Sequence, residues 1–235
     1  MAVVATFRGF SPALIDFFTD LAAHNQRAWF DAHRTDYEQV LMAPARQFVD
    51  AMSEYLPRLG DGLHAEPKVR GSILAINRDT RFSADKTPYK TYLDLWFWHG
   101  DGPSRERPGY FLRLAPAGLT LGAGMHRFSE DALASYRQAV LDPVQGERLE
   151  QAVAAVLANP TDKAPDIGGE TYKRVPAGLP AEHPRARWLK HSGLVAATQQ
   201  PITPAVFGED LPGWCFARFS QLAPLQQWLV DVLPQ

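Results

Sequence analysis

At 235 residues, 46% of them hydrophobic and 21% charged, the chain has the composition of an ordinary globular protein and enough length to bury a core without staples. Its formal net charge of −2 excludes strong whole-molecule attraction to nucleic acid or to an acidic membrane. The only cysteine, Cys215, sits between Trp214 and Phe216, which excludes an intramolecular disulfide and reads as a buried, inert thiol with no basic neighbour to favour the thiolate.

Residues 1–10 lack the charged start and apolar stretch of a signal peptide, and no apolar run approaches the ~20 residues needed to cross a bilayer. A cytoplasmic location without membrane partners is therefore expected. The first sixty residues are patterned as helices. Ser11 is placed as an N-cap and Pro12 as a first helical residue, after which Leu14, Phe17, Phe18 and Leu21 recur at helical spacing. His24 and Asn25 interrupt the pattern. A second helix carries Trp29, Phe30, Tyr37, Val40 and Leu41. Pro44 opens a third, with Phe48, Val49, Met52, Leu56 and Leu59 on one face and Gly60 as terminator.

The period then changes. Segments 72–76, 92–98, 110–115 and 119–125 are short and rich in β-branched, aromatic and leucine residues, with turn chemistry at His99-Gly100-Asp101-Gly102 and Pro116-Ala117-Gly118. Such close succession favours an antiparallel meander. Helices return over 130–141, with acids in the first turn, and again up to Leu157. Residues 161–169 read as a loop, 171–175 and 194–199 as further strands around a short helix at 185–191, and Pro224 as the opening of a last helix. The expected fold class is α+β, an antiparallel sheet in the middle of the chain flanked by N- and C-terminal helices. It is expected as one domain over 1–235, with a helical part at 1–62, a strand-rich part at 63–128 and a mixed helical part at 129–235.

Polar chemistry concentrates between two strand candidates, in Asn77-Arg78-Asp79-Thr80-Arg81-Phe82-Ser83-Ala84-Asp85-Lys86-Thr87-Pro88-Tyr89-Lys90-Thr91. The longer segment 68–92 holds six cations against two acids, a net of +4, leaving 18 cations against 24 acids elsewhere, a net of −6. A local basic segment in an acidic chain is the charge distribution of a focused anion site. Arg78, Arg81, Lys86 and Lys90 are the candidate donors, because guanidinium forks and ammonium groups fit carboxylate and phosphate oxygens. Asp79 and Asp85 would orient them. The same residues also suit an ion-pair network that merely holds a long loop.

Strand parity places Asp94, Trp96 and Trp98 on one face, Phe111 and Arg113 on a second, and Thr120, Gly122, Gly124 and His126 on a third. If these faces coincide, Arg113 joins the ligand contacts; ordinary packing of the tryptophans over bare glycines explains the same pattern. Tyr89 and His126 are the candidates for proton transfer. No metal site is expected, since the seven histidines and one cysteine show no ligand spacing. Gly122-Ala123-Gly124 lacks the third glycine of a dinucleotide loop, no triphosphate-binding loop or Gly-x-Ser-x-Gly is present, and Glu66-Pro67-Lys68 fails as a nuclease element because proline breaks the strand it needs. No cofactor is assigned. A second basic stretch, Lys173, Arg174, Arg185, Arg187 and Lys190, reads as a solvated surface.

The form Arg-Asp-x-Arg-Phe-x-x-Asp-Lys-x-Pro-Tyr-Lys-Thr at 78–91 resembles the signature of a family of conserved hypothetical proteins, domain-of-unknown-function family 2461. Phe7-Arg8-Gly9-Phe10, Asn25-Gln26-Arg27-Ala28-Trp29-Phe30, Pro108-Gly109-Tyr110-Phe111, Leu121-Gly122-Ala123-Gly124, Lys173-Arg174-Val175-Pro176-Ala177-Gly178, His183-Pro184 and Leu189-Lys190 resemble its other elements. The resemblance implies one α+β domain of about this length and no particular activity. Met125-His126-Arg127 departs from the family's usual continuation after the glycines. Two classes of function remain: an enzyme or receptor for a small phosphorylated or carboxylated ligand, or a module binding nucleic acid or a protein.

Overall fold

Residues 6–102, 104–158 and 163–234 are described by a computed structural model. The N-terminal apolar spacing forms α1 (Ala13–Ala23), which buries Leu14, Phe17, Phe18 and Leu21. Pro12, expected as the first helical residue, is the N-cap, and Ser11, expected as the cap, stands one residue earlier with its hydroxyl accepting from the Ala13 N–H at 3.2 Å. A short α2 (Arg27–Ala32) follows. The second and third expected helices are one nearly unbroken run: α2, a turn at His33, α3 (Arg34–Asp36), a π-helical turn Tyr37–Met42, and α4 (Ala43–Ser53), which ends short of the expected Leu59, with Leu56–Arg58 a separate 3-10 turn. Pro44 therefore lies just inside α4 rather than at a free start. The widened turn before it spares the clash between a proline ring and the preceding turn.

Six strands form one antiparallel sheet in the order β1-β2-β3-β4-β6-β5. They are β1 (Leu63–His64), β2 (Leu93–His99), β3 (Gly109–Ala115), β4 (Gly118–Met125), β5 (Asp166–Glu170) and β6 (His191–Gln200). The middle strands lie where the period change placed them. Along β3, Tyr110, Leu112 and Leu114 are buried while Phe111 is half-buried and Arg113 exposed, so the sheet has a dry face and a wetter one.

Four expectations need correction. Segment 72–76 is not a strand but an isolated-bridge segment: Ile73 bridges Leu95 and Val69, the Trp96 N–H donates to the Ser72 carbonyl at 2.8 Å, and the Leu74 N–H donates to the Asp94 carbonyl at 3.0 Å. The pairing with β2 does not extend into a ladder, and the Ser72 and Ile73 N–H groups are taken locally, donating to the Glu66 and Lys68 carbonyls. β5 falls inside the expected loop 161–169 and runs one residue past it, while 171–175 forms no strand; residues 159–162 lie outside the described residues. β5 pairs with β6 from Asp166–Ala197 to Glu170–His191, with a register shift after Gly168. At that irregularity Gly169 has φ +107, and a Cβ there would lie 2.1 Å from the Gly193 carbonyl oxygen, so only glycine serves. Finally, the last helix, α7 (Leu211–Val232), starts well before Pro224 and contains it. α5 (Glu130–Leu141) has the expected bounds, with the Ser129 hydroxyl accepting from the Ala132 N–H, and α6 spans Pro143–Ala158.

The chain divides into two compact units. The first comprises Met1–Phe97, Phe111–Thr120 and Gln199–Phe216. Its core includes Phe7, Phe10 and Phe48, whose ring centroids lie 5.3–5.7 Å apart. The second comprises Trp98–Tyr110, Leu121–Thr198 and Ala217–Gln235. There Tyr136 is fully buried beside Phe128 and Trp228 and donates to the Trp188 carbonyl at 3.0 Å.

Candidate functional site

The polar motif folds as an arm. At its base Asn77 bridges Tyr89 in antiparallel fashion, the Arg78 N–H donates to the Pro88 carbonyl at 2.9 Å, and the Lys90 N–H donates to the Ile76 carbonyl at 2.7 Å. Asn25, in the short break between α1 and α2, anchors this base. Its carboxamide nitrogen donates to the Tyr89 carbonyl at 2.9 Å and its oxygen accepts from the Tyr89 N–H at 3.1 Å, imitating a neighbouring strand. The buried Tyr89 ring stacks on Phe30 of α2 with centroids 4.4 Å apart.

Beyond the base, aspartates fold the arm onto its own cations. Asp85 accepts from the Thr87 N–H at 2.9 Å and from the Thr87 hydroxyl at 2.8 Å. Arg78 Nη1 reaches the other Asp85 oxygen at 2.5 Å, the Thr87 carbonyl at 3.2 Å and the Thr87 hydroxyl. Those bonds, led by the Thr87 N–H, hold the Asp85 carboxyl down at about 2. Asp79 takes Arg81 bidentately, Nε to Oδ1 at 3.0 Å and Nη2 to Oδ2 at 2.7 Å, which lowers its carboxyl to about 2 as well. At the tip the Ser83 N–H donates to the Thr80 carbonyl, closing a turn with Arg81 and Phe82 at its centre. Lys86 Nζ donates to the same carbonyl at 2.9 Å.

A second cluster lies on the wetter sheet face. Asp94 of β2 forks Arg113 of β3, with Nε at 2.6 Å and Nη2 at 3.0 Å, and Lys90 Nζ stands 3.9 Å from the same carboxylate. Arg113 lies 4.0 Å above the Tyr92 ring, and Trp96 and Phe111 stack beside them at 6.3 Å. Strand parity had set Asp94 with Trp96 and Arg113 with Phe111; the structure joins the two faces.

Arg78, Asp79, Arg81, Asp85 and Lys86 thus meet within the arm, while Lys90 and Arg113 meet around Asp94. Tyr89 is packed in the arm's base. His126 belongs to the second unit, where it is exposed just beyond β4. Sequence reasoning missed Asn25 and Thr87 as the residues that shape the arm. A lone Asn in a helix break carried the signal for the first, and Asp-x-Thr spacing, typical of an Asx turn, for the second. In the second basic stretch Arg185 caps the end of α5 through the Val140 and Asp142 carbonyls, Arg187 pairs with Glu150, and Lys190 with Glu170. Those three cations each have a partner within the second unit.

Among the described residues no group of three or more His, Cys, Asp or Glu side chains is placed to hold a metal ion, and no helix is long and apolar enough to cross a membrane. A cleft of about 460 Å³ in the first unit is lined by Phe7, Asp50, Glu54, Tyr55, Glu209 and Pro212, among others. Its carboxylates do not suit an anion, and none of the arm's residues lines it.

No curated protein and no solved structure matches the chain. One family model matches, over residues 13–228, and it bears the description conserved hypothetical protein, DUF2461. With nearly the whole chain inside that match, the protein belongs to the DUF2461 family of conserved hypothetical proteins.

Proposed function

We propose that this protein binds a small phosphorylated or carboxylated ligand on the arm, through Arg81 and Lys86 at the tip, with Arg78 behind them and Lys90 and Arg113 extending the cationic surface at the base. The observation that carries this reading is how the arginines are held. Asp79 and Asp85 grip Arg81 and Arg78 from one side, and no partner of Arg81 Nη1 is found among the described residues. Oriented donors on a segment of net +4 need little reorganisation to receive an anion. Binding is the reading proposed for the arm, because Tyr89 is stacked against Phe30 of α2 rather than presented to a ligand. A cytoplasmic location fits the reduced, buried Cys215.

A specific observation favours a second reading. Each cation of the arm's outer part has a partner inside the arm, as expected of a structural ion-pair network in a module that binds nucleic acid or protein elsewhere. A thermal-shift screen of phosphorylated and carboxylated metabolites separates the two. Ligand binding predicts stabilisation of the wild type that Arg81→Ala and Lys86→Ala each reduce. If no anion stabilises the wild type and both variants are merely less stable, the arm is a brace.

A further inference from the structure

The arm's tip carries a residue that neither ion pairing nor core packing explains. Phe82 is 96% exposed. A large aromatic ring held in water is the informative exception to burial, and the fold supplies no cover for it. Its setting is specific. Arg81 and Phe82 occupy the two central positions of the turn closed by the Ser83 N–H and the Thr80 carbonyl. The Arg81 guanidinium lies 5.8 Å from the Phe82 ring centroid, and Asp79 fixes it there. Lys86 is tied to the same turn through the Thr80 carbonyl. One turn therefore presents an open aromatic face flanked by two cations.

From this we infer that the ligand is a nucleotide unit, its base stacked on Phe82 and its phosphates on Arg81 and Lys86. Rings accept any base because every base has a π-face, and cations beside the ring take the phosphate charge. A simple phosphorylated or carboxylated metabolite uses the cations and leaves the ring in water. The inference rests on the anion-binding reading and adds the aromatic part of the ligand. A free mononucleotide and a nucleotide within a single strand offer the same chemistry.

Calorimetric titration with adenosine diphosphate, inorganic pyrophosphate and a short oligothymidylate tests it, using wild type, Phe82→Ala and Phe82→Trp. Because Phe82 makes no core contact, both variants are expected to fold, which circular dichroism checks. Stacking predicts that adenosine diphosphate binds at least about 10-fold tighter than pyrophosphate, a margin lost in Phe82→Ala and kept in Phe82→Trp, with pyrophosphate affinity unchanged. Tighter binding of the oligothymidylate than of the mononucleotide assigns the ligand to a strand; the reverse assigns a free nucleotide. If adenosine diphosphate binds no tighter than pyrophosphate, or if Phe82→Ala keeps the margin, the nucleotide inference is overturned and anion binding stands. If neither probe binds, both are overturned.

Discussion

Replacing Asn25 by alanine removes both hydrogen bonds that tie the Tyr89 backbone to the break between α1 and α2. The bonds are neutral and part-buried, so each contributes about 0.5–1.5 kcal/mol net, and the pair about 1–3 kcal/mol. No side chain in the variant can replace the carboxamide. For a chain of this length, 2 kcal/mol corresponds to a fall in melting temperature of roughly 4–8 °C if unfolding is cooperative. Asn25→Asp is the informative companion. It keeps an acceptor for the Tyr89 N–H but sets a carboxylate oxygen against the Tyr89 carbonyl, so it should recover little. Urea denaturation gives the free energy, and hydrogen exchange at the Tyr89 amide reports the bond itself. A loss below about 0.5 kcal/mol, within the range of an ordinary surface substitution, with unchanged protection of that amide, would refute the anchoring of the arm by Asn25.

Three other predictions concern the arm and the core. Asp79 and Asp85 titrate lower in the folded than in the unfolded chain, so the bracing they provide is complete above about pH 4 and lost as pH falls towards about 2; carboxyl carbon shifts that instead follow ordinary aspartates would contradict it. Cys215 is fully buried, so thiol reagents should label it slowly in the native protein and completely in denaturant; fast native labelling would refute this. At Gly124, φ is +128 and a Cβ would lie 2.1 Å from the Leu194 carbonyl oxygen, so Gly124→Ala should cost about 3 kcal/mol or more, or prevent folding; a near-neutral result in denaturant titration would show that β4 and β6 can move apart.

What the sequence made legible was set by local chemistry, and what it hid was set by distant partners. α5 has the bounds that its Ser129 cap and acidic first turn imply, and β2, β3 and β4 follow the change of hydrophobic period. β5 was illegible because Asp166-Ile167-Gly168-Gly169-Glu170 has no strand composition; its pairing with β6 makes it a strand. α7 was cut short because proline usually starts or ends a helix, whereas buried Cys215, Phe219, Leu222 and Leu225 carry this one through Pro224. At the site, charge density marked the arm and parity set Asp94 with Trp96 and Arg113 with Phe111. The anchor at Asn25 lies 64 residues from Tyr89, and no periodicity links them. Phe82 gave no signal of its own, because an aromatic residue between polar ones reads equally as buried or exposed.

If the arm binds an anion, its own amides report the contact. Amide shifts of isotope-labelled protein during a pyrophosphate titration test it most directly. The account predicts saturable shifts confined to residues 78–87 and the neighbourhood of Lys90 and Arg113, abolished at the tip by Arg81→Ala. Shifts that never saturate, or that scatter over the surface without the arm, would contradict it.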